Sequence, residues 1–285
     1  MLRRLVLLFS LFAGFAFADG PVLTVSVPFA PYAKMVQKIA GERALVVTIV
    51  PKNANPHTFE PKPENLRKFS DVSIYFSDAS GIDAAWRPRF LGVNPKARVV
   101  DVSAGVSFMA EDVSHREKES GDDLDPHIWN SPRTAILVAS NICTALVEAD
   151  APGAGFYREN LERFSAELSA MDARFAETVR NLSEERRTFI VFHPSYGYLA
   201  RDYGLKQIAV EMDGKEPKPR DLQNLIRTAK KNRVKTIFVQ PQFSRRAAET
   251  LSREIRANIV SIDPLAFDFD AELEKFFRTL SEDAE

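Results

Sequence analysis

The chain has 285 residues, and its 38 Lys+Arg against 39 Asp+Glu give a formal net charge of -1 at pH 7. That balance argues against a nucleic-acid partner, which calls for a basic face, and the length allows a good core in one or two domains. Cys143 is the only cysteine, so an internal disulfide is excluded; it lies in an apolar-periodic helix and reads as a small core residue.

The chain opens MLRRLVLLFSLFAGFAFADG, with Arg3 and Arg4, an apolar run from Leu5 to Ala18 and a small-residue Ala16-Phe17-Ala18 close. This is the pattern of a cleaved secretory signal, residues 1–18; a spanning helix needs about 20 apolar residues. Cleavage near Asp19 removes two of the 38 cationic residues and leaves 36 against 39. No cysteine follows the cleavage site, so a lipid anchor is not expected there, and no later apolar run is long enough to span a membrane.

Strand and helix then alternate. Val22–Val27 reads as a buried strand, Ala33–Ala40 as a helix ending at Gly41, Leu45–Val50 as a second strand, Pro63–Phe69 as a short helix, and Val72–Phe76 and Arg98–Val102 as further strands. Ser131-Pro132 has the form of a helix start, serine at N-cap and proline at N1. The helix that follows reaches about Val147 with Ala135, Ala139, Ile142 and Leu146 on one face. A longer helical stretch, about Gly153 to Leu182, carries Phe156, Leu161, Phe164, Leu168, Met171 and Phe175 at near-helical spacing. At 1.5 Å per residue it would run roughly 40 Å, enough for a strut between two lobes.

The alternation resumes with strands at Phe189–Phe192, Gln207–Val210, Thr236–Gln240 and Ile259–Ile262. Helices are expected at Pro194–Asp202, Pro219–Asn232, Arg245–Ala257 and Asp270–Leu280. The fold class expected is α/β, two lobes with mostly parallel sheets. The boundaries are 19–150 for the first lobe, 151–185 for the linking helix and 186–285 for the second lobe. Residues 111–125, EDVSHREKESGDDLD, are charged and poor in apolar side chains and read as a loop, and the acidic end Glu282–Glu285 as a frayed tail. Asp213–Pro219 reads as a turn, without the glycine spacing of a phosphate loop.

Three of the four histidines stand beside a proline: His57 in NANPHTFEP, His127 in LDPHIWNSP and His193 in VFHPSYGY. Proline fixes its own φ and restricts its neighbour, so these rings sit on stiffened turns. His57 and His193 follow strands, His127 precedes a helix start, and Asp263 in SIDPLAFD directly follows a strand. In open α/β sheets ligands bind outside the carboxyl ends of strands. Two of these groups belong to each half of the chain, so they are expected to face one another across an inter-lobe cleft. Three imidazoles and a carboxylate suit a divalent cation: zinc takes N and O donors tetrahedrally, while imidazole also suits Cu, Fe and Ni. No short metal motif such as H-E-x-x-H is present, and each histidine alone also reads as a cap or a hydrogen-bonded surface residue. Trp129 and Phe59, next to two of the histidines in sequence, are expected to wall the cleft.

The blocks NPHTFEPKPENLRKFSDVSIYFS, DPHIWNSPRTAILVASNICTAL and FIVFHPSYGYLARDYGL, followed by VEMDGKEPKPRDLQNLIRTAKKNRVKTIFVQPQFSRRAAETLSREI and IVSIDPL, resemble in order those of the cluster A-I metal-binding solute-binding proteins of ABC transporters. FYRENLERF resembles the start of that family's long linking helix, and the likeness covers nearly the whole mature chain. The resemblance implies a periplasmic receptor, with His57, His127, His193 and Asp263 holding the transported metal between two lobes. It implies a membrane permease with a cytoplasmic ATPase as partner, a monomeric protein, and no catalysis. In that family histidine at the third position goes with zinc and glutamate with manganese; His193 points to Zn2+, with a broad-range receptor for Zn2+ and Mn2+ (or Fe) as the alternative. Two departures stand out. The loop before the second block is short, with His115 its one histidine, and Gln240 stands where the family often has Glu.

Two enzyme classes compete. A metallohydrolase would want a glutamate placed as general base, which the histidine blocks lack. A serine hydrolase on Ser195 would want G-x-S-x-G, and His193 occupies the first glycine position.

Overall fold

The computed structural model describes residues 23–78, 81–109, 124–211 and 217–282. The signal segment, His115 with most of its loop, most of the Asp213–Pro219 run and residues 283–285 lie outside them.

Two four-stranded parallel sheets of the same topology organise the molecule. In the first lobe β1 (Leu23–Val27), β2 (Ala44–Thr48), β3 (Ile74–Ser77) and β4 (Arg98–Asp101) are ordered β2-β1-β3-β4. In the second β5 (Thr188–Val191), β6 (Lys206–Ala209), β7 (Thr236–Val239) and β8 (Asn258–Ser261) are ordered β6-β5-β7-β8. The central strands β3 and β7 are buried along their whole length, which is why IYFS and TIFV read as runs and not as alternations. Each element order reverses beside its first strand, β1 or β5, and that switch point is where such sheets open a crevice.

Helices cover the sheets: α1 (Ala30–Ala40), α2 (Pro63–Arg67), α3 (Gly81–Val93) and α4 (Pro132–Ala149) in the first lobe, and α6 (Gly197–Tyr203), α7 (Pro219–Lys231), α8 (Arg246–Ile255) and α9 (Phe269–Glu282) in the second. The helix α3 is not legible in the sequence. Pro88 lies inside it and interrupts the periodicity, while Trp86 and Phe90, one turn apart, supply its buried contacts.

The connecting helix α5 (Ala154–Asn181) has 28 residues, about 42 Å at 1.5 Å each. It packs on α1 and α4 of the first lobe and on α6 and α9 of the second. Its buried stripe is Tyr157, Asn160, Phe164, Leu168, Met171, Phe175 and Val179. The expected members Phe156 and Leu161 stand at its edge, only half-buried; Tyr157 and Asn160 replace them because Asn160 Nδ2 donates to Ile39 O at 2.8 Å and Tyr157 Oη donates to Asp150 at 2.6 Å. One continuous apolar cluster runs from β1 and α1 through α4 and α5 to α6 and α9. The lobes are therefore joined by shared core, not by a bare linker. A smaller cluster lies between β5, β7 and the helices α7 and α8.

Candidate metal centre

The cleft between the lobes closes on a cavity of about 20 Å³, room for one water-sized guest. His57, His127 and Trp129 line it from the first lobe, and His193, Gln242 and Phe243 from the second.

The three imidazoles converge. His193 Nε2 lies 3.2 Å from His127 Nε2 and 3.4 Å from His57 Nε2. His57 arrives on the loop after β2, with its backbone N–H donating to Asn55 Oδ1 at 2.9 Å. His127 is set just before α4: its backbone N–H and its Nδ1 both meet Asp125 Oδ1, at 2.9 and 2.8 Å. His193 leaves the end of β5, with Nδ1 2.8 Å from Glu211 Oε1. His127 and His193 are 6% and 4% exposed, whereas the outer face of His57 reaches solvent.

Two carboxylates settle the tautomers. A ring whose Nδ1 faces a carboxylate carries its proton there and turns a bare lone pair outward at Nε2. The Nε2 atoms of His127 and His193 stand 3.2 Å apart, and in that tautomer both would offer lone pairs to a cation between them. The spacing agrees: with Zn–N bonds of 2.0–2.1 Å, the edge of a tetrahedron is about 3.3 Å. The donor set fits a borderline divalent metal.

Burial of its inner edge, then repulsion from His193 and His127, lowers the pKa of His57 from 6.5 to about 4. The ring is held neutral, as a ligand must be.

Asp263 takes a different place. It follows β8, but its Oδ1 accepts from Gln242 Nε2 at 2.8 Å and from the backbone N–H of Leu265 at 3.0 Å. Gln242, Pro264 and Leu265 are among the residues that line the cavity, and Asp263 is not. His193 is in direct contact with both other histidines, and the Asp263 carboxylate is tied to the cavity lining through Gln242.

Aromatic rings enclose the histidines. Phe243 stacks on His193 with centroids 5.1 Å apart, and Trp129 meets His127 edge-on at 5.4 Å. Trp129 Nε1 also donates across the cleft to Pro264 O at 2.7 Å. Phe59 is not part of this wall: it packs edge-on against Trp86 at 5.3 Å. At the start of α4, Pro132 is at N1 as expected, but the hydroxyl of Ser131 does not cap the helix. It donates instead to Asp202 Oδ2 of the second lobe at 2.5 Å, a bond between lobes that the local capping pattern conceals.

A family model for ZnuA, the periplasmic component A of the zinc-uptake complex, matches residues 25–285. The chain belongs to the ZnuA family. The high-affinity zinc uptake system protein ZnuA of Bacillus subtilis (strain 168) is 28% identical over 263 residues, covering 88% of this chain and 81% of that protein. The manganese-binding lipoprotein MntA of Halalkalibacterium halodurans is 26% identical over 243 residues, 85% of this chain and 78% of that protein. A crystal structure of ZnuA, 33% identical, superposes with a TM-score of 0.84 over 91% of this chain and 98% of that one.

In this ZnuA-family chain four polar residues of the site escape a reading of the sequence alone. Asp125 and Glu211 orient two rings. Gln240, distant from the histidine blocks along the chain, clamps the His193 peptide: its Oε1 accepts from His193 N at 3.1 Å and its Nε2 donates to His193 O at 2.7 Å. A glutamate there could accept but not donate, so Gln240 supplies a two-point grip. Gln242 is the fourth. Asp125 carries a sequence signal, its place two residues before His127 in DPH, and Gln240 stands out only as a departure from the family's usual Glu.

Proposed function

We propose that the protein captures Zn2+ outside the cytoplasm and presents it to a membrane importer. The carrying observation is the pair of Nε2 atoms of His127 and His193, 3.2 Å apart on rings held by Asp125 and Glu211, with His57 Nε2 3.4 Å from that of His193. On this reading His57, His127 and His193 are ligands and Asp263 is the fourth. A four-donor set leaves no open position for an activated water, so the role is binding and not catalysis. The signal-like residues 1–18 are removed on export to the periplasm, the mature protein acts as a monomer, and its partner is an ABC permease driven by a cytoplasmic ATPase. Residues 19–150 and 186–285 work as the two lobes about the helix within 151–185. Likeness to ZnuA of Bacillus subtilis supports this cargo.

A second reading, a receptor that also accepts Mn2+, is favoured by the oxygen donor of Asp263 and by the likeness to a manganese-binding relative. Calorimetric titration of chelator-stripped protein with Zn2+ and with Mn2+, alongside His193→Ala, tests both. One tight zinc site, lost in the variant and outcompeting manganese, is the expected result. Equal affinities favour the second reading, and binding indifferent to His193 would sink both.

A further inference from the structure

Gln242 and Asp263 meet because β7 and β8 run parallel with Val239 opposite Ser261. Gln242 lies three residues beyond the end of β7 and Asp263 two beyond the end of β8, so their loops leave adjacent strand ends. The amide of Gln242 donates to Asp263 Oδ1, which the Leu265 N–H also reaches. The backbone N–H of Asp263 donates to Glu272 Oε2 of α9 at 2.9 Å. Among the described residues no hydrogen bond falls on Asp263 Oδ2. Both donors therefore grip the same oxygen.

At the far end of Gln242, Oε1 is buried and has no hydrogen-bond partner, an exception that calls for a reason. Turning the amide over would satisfy nothing, since it would set Oε1 against the Asp263 carboxylate. The amide stays in its present sense because the carboxylate demands a donor. Glu211 Oε2, whose partner oxygen meets His193 Nδ1, is likewise buried without a hydrogen-bond partner.

We propose that Gln242 is the positioning residue for the carboxylate donor, an inference that rests on the histidine cavity being the cation site. Its amide, itself part of the cavity lining, fixes the rotation of Asp263 by holding Oδ1 and so presents Oδ2 to a cation held by the three imidazoles. Groups that orient metal ligands this way contribute about 10–100-fold to affinity.

The test is a double-mutant cycle on the full-length mature protein, stripped and titrated with Zn2+ in competition with a chelating dye, and with Co2+ read by its visible absorption. Gln242→Leu keeps the volume and removes the donor. It is expected to weaken Zn2+ binding about 10–100-fold, to give a Co2+ spectrum like that of Asp263→Ala, and to add no further loss on the Asp263→Ala background. Wild-type affinity in Gln242→Leu, or an equal loss with and without Asp263, would overturn the proposal. Should Gln242→Leu fail to fold, Gln242→Asn, which keeps the amide but cannot reach as far, serves in its place. His193→Ala separates the two layers: if it binds zinc normally the cavity reading fails, and if it alone loses binding while Gln242→Leu does not, only the role of Gln242 fails.

Discussion

The decisive chemistry is set by proton placement on single rings. Asp125 and Glu211 each face the Nδ1 of a histidine, an arrangement that favours the proton there and leaves Nε2 to a cation. Asp125→Asn would present an amide that can donate to Nδ1 and favour the other tautomer; we expect it to lower zinc affinity about 10–100-fold without unfolding the protein, measured by chelator competition and circular dichroism. The pH response has a definite sign at His57. Its pKa in the folded protein, about 4, lies below the ordinary 6.5, so between those values the unfolded chain binds more protons than the native one and native stability falls as pH falls. In metal-free protein, urea midpoints at pH 7 and pH 4.5 should show wild type losing more than His57→Ala. An equal loss would remove His57 from the acid response.

At the scale of elements, one glycine couples the surroundings of His127 to the opposite lobe. Gly197 opens α6, and a Cβ placed there would stand 2.3 Å from Asp125 Oδ2. Tyr198 Oη, on the same helix, donates to Asp125 O at 2.6 Å. Asp125 is thus seated on the second lobe while it orients His127 of the first. It cannot retreat freely, because His127 holds its other oxygen through two bonds. Gly197→Ala should therefore weaken zinc binding about tenfold, as loss of an orienting contact does, while Gly204→Ala, at the left-handed end of the same helix (φ 64), should cost stability only. Both are read by titration and thermal unfolding. In the strut α5, Phe175 stacks on Phe277 of α9 at 3.7 Å. Phe175→Ala should cost about 3–5 kcal/mol in urea unfolding, the usual range for a buried aromatic.

Over the whole molecule, the shared core limits how far the lobes can part. The apolar cluster passes without a break through α5. Polar ties at the cleft add to it: Trp129 to Pro264, Asn130 to Ser195 O at 2.9 Å, and Lys34 to Asp268 and Asp270 at 2.8 and 2.6 Å. Opening like a hinge would expose that surface to water, so loop shifts around His193 and Asp263 are the cheaper route for a metal to leave. The radius of gyration from small-angle scattering should be the same with and without zinc, whereas hydrogen exchange in those two loops should slow on binding. Zinc at 100 times its dissociation constant should also stabilise the fold by about 2.7 kcal/mol, seen as a melting temperature that rises with free zinc.

The class of fold and the histidines were legible along the chain because both depend on local signals. Alternating apolar runs and helical periods gave all eight strands to within a residue or two, and proline beside three histidines marked the stiff turns that carry them. The helix α3 stayed hidden because Pro88 broke its period, and Phe59 was misplaced because neighbourhood in sequence does not fix the side from which a side chain leaves a loop. The partners of the site belong to tertiary structure alone. Glu211, Gln240 and Gln242 lie 18, 47 and 49 positions beyond His193, and only the parallel order β6-β5-β7-β8 brings their strand ends together. Sequence determined which groups could hold a cation; the sheet register decided which polar neighbours fix their protons and lone pairs, because in parallel sheets residues adjacent in space are separated by a whole crossover in the chain.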